Sequence, residues 1–179
     1  MSPGTGTSCL RLPRAVYDAL RAHGEHTYPH ECCGVLFGRF IHSDLARNEP
    51  AGWTVEAAVP AGNTRTDSAH NRYHIAPAEL VKIERQARSQ GLDIAGFYHS
   101  HPDHPAQWST TDFQEAHWLG CCYVITAVEQ GKATITNSFS LAGLTEEDKR
   151  FEQETIQVTD PAPANSAILS NLSARAESA

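Results

Sequence analysis

Several things are missing from this 179-residue chain, and each absence closes a route. No window of eighteen apolar residues occurs, so no membrane-spanning helix is expected. The longest apolar stretch, CCYVITAV from Cys121 to Val128, has the length of a strand. Positive charge is scarce: 14 Lys and Arg stand against 21 Asp and Glu, a formal net charge of −7, which argues against a protein that grips a phosphate backbone. The start, MSPGTGTSCLRLP, shows neither a basic nor an apolar leader region, and the expectation is a cytoplasmic protein. None of the five cysteines forms a C-x-x-C, which removes zinc knuckles and thioredoxin-type redox sites. Cys32–Cys33 and Cys121–Cys122 are sequence neighbours, and adjacent residues on a strand point to opposite faces. Buried, reduced thiols are expected. H-E-x-x-H is absent, which excludes the helical metallopeptidase plan, and the P-C-x-x-C that a zinc deaminase needs beside its H-x-E is missing.

What the chain does contain is helix and strand patterning intermixed. Leu12, Val16, Ala19 and Leu20 recur at helical spacing behind Pro13, which predicts a helix from Pro13 to His23 with Gly24 as its stop. CGVLFGRFI predicts a buried strand over 33–41, and WTVEAAVP a second over 53–60. A polar loop with a short strand near Tyr73 to Ile75 follows. APAELVKIERQARSQG then places Leu80, Ile83 and Ala87 on one helical face, between Pro77 and Gly91. DIAGFYHSH reads as a strand, STTDFQEAHWLG as a short capped helix, and CCYVITAVEQGKATITNSFSL as a hairpin turning at EQGK. TEEDKRFEQETIQV is expected to form a short helix and a last strand. These elements predict one domain over 1–159, an α/β (α+β) fold with a central mixed sheet flanked by helices. Residues 160–179, rich in Ala, Ser and Pro, are expected to be a disordered tail.

Chemistry concentrates in GFYHSHPDHPAQWSTTDF, Gly96 to Phe113. His99 and His101 stand two apart at a strand end, so both imidazoles share a face and can converge, while Ser100 points the other way. Asp112 lies eleven residues beyond His101, in the first turn of the next helix. Two imidazoles and a carboxylate leave one tetrahedral position free for water, as in catalytic zinc sites. Ser109 with Asp112 also fits S-x-x-D, a helix capping box, and spacing alone leaves the metal and the capping readings open. A general base is needed for amide cleavage. Glu31, in YPHECCGVLFG, enters a buried strand, where a carboxylate is costly unless it faces a cleft or a partner.

PHECCGVLFG, followed by HSHPDHPAQWSTTD, resembles the JAMM (Jab/MPN-type) zinc metallopeptidases: a glutamate, then H-[ST]-H-P, six residues, and S-x-x-D. Glu31, His99, Ser100, His101, Pro102, Ser109 and Asp112 all match, and the likeness runs over about residues 10–158. The resemblance implies a cytidine-deaminase-like JAMM/MPN architecture. It implies zinc (Zn2+) held by His99, His101 and Asp112, with Glu31 moving a proton from the attacking water to the leaving nitrogen and Ser109 donating to the developing oxyanion. That role of Ser109 is compatible with capping provided its backbone, rather than its side chain, ends the helix. The compact length implies the prokaryotic type, acting after the C-terminal Gly-Gly of a small ubiquitin-like sulfur-carrier protein. An isopeptidase for ubiquitin-like conjugates and a non-catalytic scaffold are the alternatives; the scaffold is disfavoured by the intact motif. An extended Gly-Gly tail is expected to add a strand beside the site. Neither a nucleic acid nor a membrane partner is expected, and the assembly is left open between monomer and homodimer. Asp103 and His104 are assigned either to the support behind the ligands or to the rim, His117 to the surface, and Trp108 to either groove or core. Asn63, Arg72 and Tyr73 are weaker candidates for contact with a peptide tail.

Overall fold

In a computed structural model, residues 8–44, 46–62 and 75–160 are described. The elements run β1 (Cys9–Pro13), α1 (Arg14–Thr27), β2 (Cys33–Ile41), β3 (Gly52–Ala61), α2 (Pro77–Ser89), β4 (Asp93–Pro102), α3 (Thr110–Glu115), β5 (Cys122–Glu129), β6 (Lys132–Ala142) and β7 (Arg150–Thr159). The sheet is mixed as expected: β4 runs parallel to β5, while β2 is antiparallel to both β3 and β4. It is not an open sheet, however. The order β1-β3-β2-β4-β5-β6-β7 closes on itself, because β1 pairs in parallel with β7 and touches β3 through Arg11 and Thr54. β1 escaped prediction because it is only five residues long and runs straight into the proline that opens α1.

Residues on either side of β2 and β4 are buried, so each strand has two core faces. Val35, Phe37 and Phe97 pack with Ile83 and Ala87 of α2. Leu36 and Tyr98 pack on the opposite side with Leu20 of α1 and with Leu10 and Leu12 of β1. This alternation decides where the motif points. His99 and His101 share the side of Phe97, and Ser100 shares the side of Tyr98 and α1.

Gly24 is not the helix stop it resembles. It is buried within α1, where an added Cβ would lie 3.0 Å from Val128 and 3.1 Å from the Ser100 Cβ. The missing side chain lets α1 sit close on β4 and β5, and the helix runs on to Thr27, one residue short of the X-Pro pair Tyr28-Pro29. The helix expected in TEEDK is instead a turn, in which Asp148 accepts from the Leu144 and Thr145 amides at 3.0 and 2.7 Å; the final strand forms as expected. Ile75 is not in a strand, whereas Tyr73, the polar loop and the tail beyond Asp160 lie outside the described residues. All five cysteines are free and buried. Among the described residues no helix is long and apolar enough to cross a membrane.

Candidate metal centre

Three elements converge at the C-terminal end of β4. The register pairs Cys33 with His99, and extending it by two residues places Glu31 across from His101. The two imidazoles meet with their Nε2 atoms 3.0 Å apart. His101 Nδ1 lies 2.9 Å from the Pro105 carbonyl oxygen, which can only accept. In the neutral ring Nδ1 therefore carries the hydrogen and Nε2 presents its lone pair to the site, the arrangement a metal ligand needs.

The loop between β4 and α3 is pinned from outside. Asp103 takes a positive φ of 54°, donates its amide to the Val128 carbonyl at 2.8 Å, and accepts from the Gln130 amide and the Tyr28 hydroxyl, both at 2.8 Å. Its carboxylate is thus turned to the β5–β6 turn and to Tyr28, which makes it a strut of the rim. Asn137 adds a bond to the Ala106 carbonyl at 2.8 Å, a role that nothing in the sequence around it announces.

Thus held, the loop delivers the start of α3, and Asp112 meets the geometry of both roles the sequence offered it. Ser109 Oγ accepts from the Asp112 amide at 3.1 Å, while Asp112 Oδ2 accepts from the Ser109 amide at 2.6 Å, a complete capping box. The same carboxylate sets Oδ1 3.4 Å from His99 Nε2 and Oδ2 3.5 Å from His101 Nε2. The Ser109 side chain, not only its backbone, ends the helix, contrary to the condition set for its second role. A hydroxyl that accepts keeps its own hydrogen, so a donor is still available.

The donor set fits zinc. Ligand nitrogens at about 2.0–2.1 Å from a tetrahedral ion stand roughly 3.3 Å apart; the three separations here are 3.0, 3.4 and 3.5 Å. His99, His101 and Asp112 all offer a ligand atom within 4.8 Å of one another. Glu31 overlooks them, 5% exposed, and its Oε2 has no hydrogen-bond partner among the described residues. Burial pushes its carboxyl from 4.5 up to about 8, with His101 opposing. Burial lowers His99. In His101 burial is outweighed by Asp112 and the Pro105 carbonyl, which raise it. Burial also works against the Asp112 carboxylate, but bonds from His101, His99 and the Ser109 amide hold it far below the usual range.

A ligating imidazole must be neutral, so loading a divalent cation must expel the proton that His101 holds. Glu31, protonated up to about pH 8 in the metal-free protein, is set to lose its proton to the same cation. Below about pH 8 zinc binding is therefore expected to release protons, from Glu31 and, below its raised value, also from His101, and to tighten as pH rises. Calorimetry of zinc binding in buffers of different ionisation enthalpy reads this directly. Zero release near neutrality would contradict the placing of the cation beside Glu31.

Beside the donors runs a cleft of about 380 Å³ lined by Glu31, His101, His104, Trp108, Ser109 and Thr111. Trp108 serves both predicted ends: it lines this cleft and packs on Phe113 and Phe151 at ring distances of 5.7 and 5.5 Å. His104 is on the rim, and His117 lies on the surface 3.2 Å from Glu146. Asn63, Arg72 and Tyr73 fall outside the described residues. A larger cleft of about 500 Å³ between β6 and β7 contains Glu154, but that carboxylate is already bonded by Ser138 and Ser8, and among the described residues no imidazole lines the cleft.

Comparison with known proteins agrees with this geometry. The chain is 41% identical over 123 residues to the desampylase of Haloferax volcanii, covering 66% of this chain and 81% of that protein. It is 31% identical over 109 residues to a probable TtuB-protein conjugate cleaving protease of Thermus thermophilus, covering 61% of this chain and 64% of that one. The solution structure of a Salinibacter ruber protein matches at a TM-score of 0.58 with 33% identity, covering 86% of this chain and 92% of the other. A Desulfitobacterium hafniense protein matches at 0.68 with 24% identity over 85% and 94%, a likeness of fold. Residues 13–141 match the family described as prokaryotic homologs of the JAB domain. With that match covering most of the chain, and with Glu31, His99, His101, Ser109 and Asp112 brought to one place, the chain belongs to the prokaryotic homologues of the JAB domain, the JAMM-type proteases whose signature its sequence carries.

Proposed function

We propose that this protein is a zinc-dependent hydrolase that cuts the amide bond after the C-terminal Gly-Gly of a ubiquitin-like protein, releasing it from a conjugate or trimming it. Zinc held by His99, His101 and Asp112 would acidify a water and polarise the scissile carbonyl. The remaining work falls to the chain's own residues. Glu31 takes the proton from the attacking water and passes it to the leaving nitrogen. The Ser109 hydroxyl donates to the oxygen that gains charge, an interaction of about 3 kcal/mol where comparable donors have been removed elsewhere. His101 is held in the ligating tautomer by the Pro105 carbonyl.

The observation that carries this reading is Glu31: a buried carboxylate with an oxygen that has no partner among the described residues, set over two imidazoles and a carboxylate at ligand spacing. A scaffold has no use for such a group, because burying it costs stability. The names of the two relatives, a desampylase and a conjugate-cleaving protease, support ubiquitin-like conjugates as the substrate class, with carrier trimming as the second form of the same reaction. The family likeness also supports a cytidine-deaminase-like layering, with α1 on one face of the sheet and α2 on the other. Strand addition by the tail finds no free edge on β2, whose neighbours β3 and β4 already pair at Cys33.

The test is intact-mass spectrometry of the zinc-loaded protein with two substrates: a ubiquitin-like protein linked through Gly-Gly to a lysine, and the same protein with a short C-terminal extension. Cleavage directly after Gly-Gly is expected. Cutting of unrelated peptides while both substrates stay whole would reject the proposal.

A further inference from the structure

Ser100, between the two histidines, is outside the donor set. It is fully buried and faces α1, where a Cβ added at Gly24 would lie 3.1 Å from its own Cβ. Its hydroxyl oxygen accepts from the Cys32 amide at 2.9 Å, and its own amide donates to the Cys32 carbonyl at 3.2 Å. Cys32 is the residue after Glu31 and the last before β2 begins. Both backbone polar groups of Cys32 are thus held by the one residue that lies between His99 and His101. The hydroxyl bond is not part of the β2–β4 ladder, which ends at the Cys33–His99 pair. A second tie, Tyr28 to Asp103, holds the other end of the same segment from the surface.

We infer that Ser100 is a positioning residue: its hydroxyl holds the Cys32 amide and thereby sets the Glu31 carboxylate relative to His99, His101 and Asp112. This rests on the proposed role of Glu31 as base. A carboxylate that moves affects the proton transfer and leaves the donors and the cleft in place, so the effect falls on kcat. A misplacement on the order of 1 Å costs roughly 10²-fold in such sites.

The experiment uses the full chain with S100A and S100T, each also combined with E31Q. Bound zinc, kcat and KM are measured, together with hydrogen exchange of the Cys32 amide in the metal-free protein. S100A is expected to keep one zinc per chain and a KM within about twofold, to lose about 10²-fold in kcat, and to exchange its Cys32 amide faster. S100T, which keeps the hydroxyl, restores both kcat and protection, and S100A adds no further loss to E31Q. Should S100A fail to fold, S100C, of similar volume and with a weaker acceptor, takes its place under the same expectations. Unchanged kcat in S100A, equal impairment of S100T, a loss carried by zinc content or KM, or an additive loss on E31Q would overturn the role of Ser100 alone. Turnover undiminished in E31Q would instead overturn the base assignment and this role with it.

Discussion

The E31Q protein is expected to bind zinc like its parent and to turn over roughly 10²–10⁴-fold more slowly, the usual contribution of a positioned general base. The substitution keeps the shape of Glu31 and removes its capacity to accept a proton, so the donors at His99, His101 and Asp112 are untouched. The variant has a second expected signature, in stability. Burial raises Glu31 from 4.5 to about 8. The unfolded chain gives up this proton near the lower value and the folded, metal-free chain only near the higher. Between them the folded state binds one proton more, so its stability falls as pH rises through this window and levels off above about 8. The side-chain amide of the variant does not titrate and has no such dependence. After chelation the variant should be more stable than the parent, by an amount that grows from pH 5 to pH 8 and reaches the order of a few kcal/mol. Every other titrating group is common to the two proteins, so the difference between their urea midpoints reports Glu31 together with its pull on His101. Equal midpoints at both pH values would mean that the carboxylate is solvated and free to ionise, and the base would have to be sought elsewhere.

How far the sequence foretells such a site depends on the range of the interactions that build it. β2 is legible because its signal is local: a continuous apolar run that begins at Cys33, as the strand does. His99 and His101 are legible because strand periodicity alone puts them on one face. The choice between metal ligand and helix cap at Asp112 could not be made from spacing, and the structure shows why. A carboxylate has two oxygens with lone pairs to spare, and the geometry that caps α3 also turns the group to the imidazoles.

Contacts between distant segments stayed hidden. The bond from Ser100 to Cys32 spans 68 residues. Gly24 has the local grammar of a helix stop, and only the approach of β4 and β5 explains why it is interior. β1 is too short to announce itself and exists because β7 supplies a ladder of five paired residues, an interaction across nearly the whole chain. Closure of the sheet follows from that pairing and was therefore unreadable.

The other large effect is expected at His101. It is 8% exposed and supplies Nε2 to the donor set, whereas His104, three residues on, only lines the cleft. H101A should fall from one bound zinc per chain to less than about a tenth and lose turnover to background, since two remaining donors make a poor site. H104A should keep its zinc. Thermal melts separate metal loss from misfolding. With free zinc at about a hundred times its dissociation constant, binding to the folded state adds about 2.7 kcal/mol, or roughly 5–10 °C for a domain of this size. Wild type and H104A should show that rise on adding zinc and lose it on chelation. H101A should melt cooperatively at one temperature in either condition, lowered by the loss of the bond to the Pro105 carbonyl at 2.9 Å. A zinc-dependent rise in H101A would place the ion on other residues, and loss of the rise in H104A would bring that histidine into the ligand set. The pair thus distinguishes a site built on the strand end of β4 from one built on the loop that follows it.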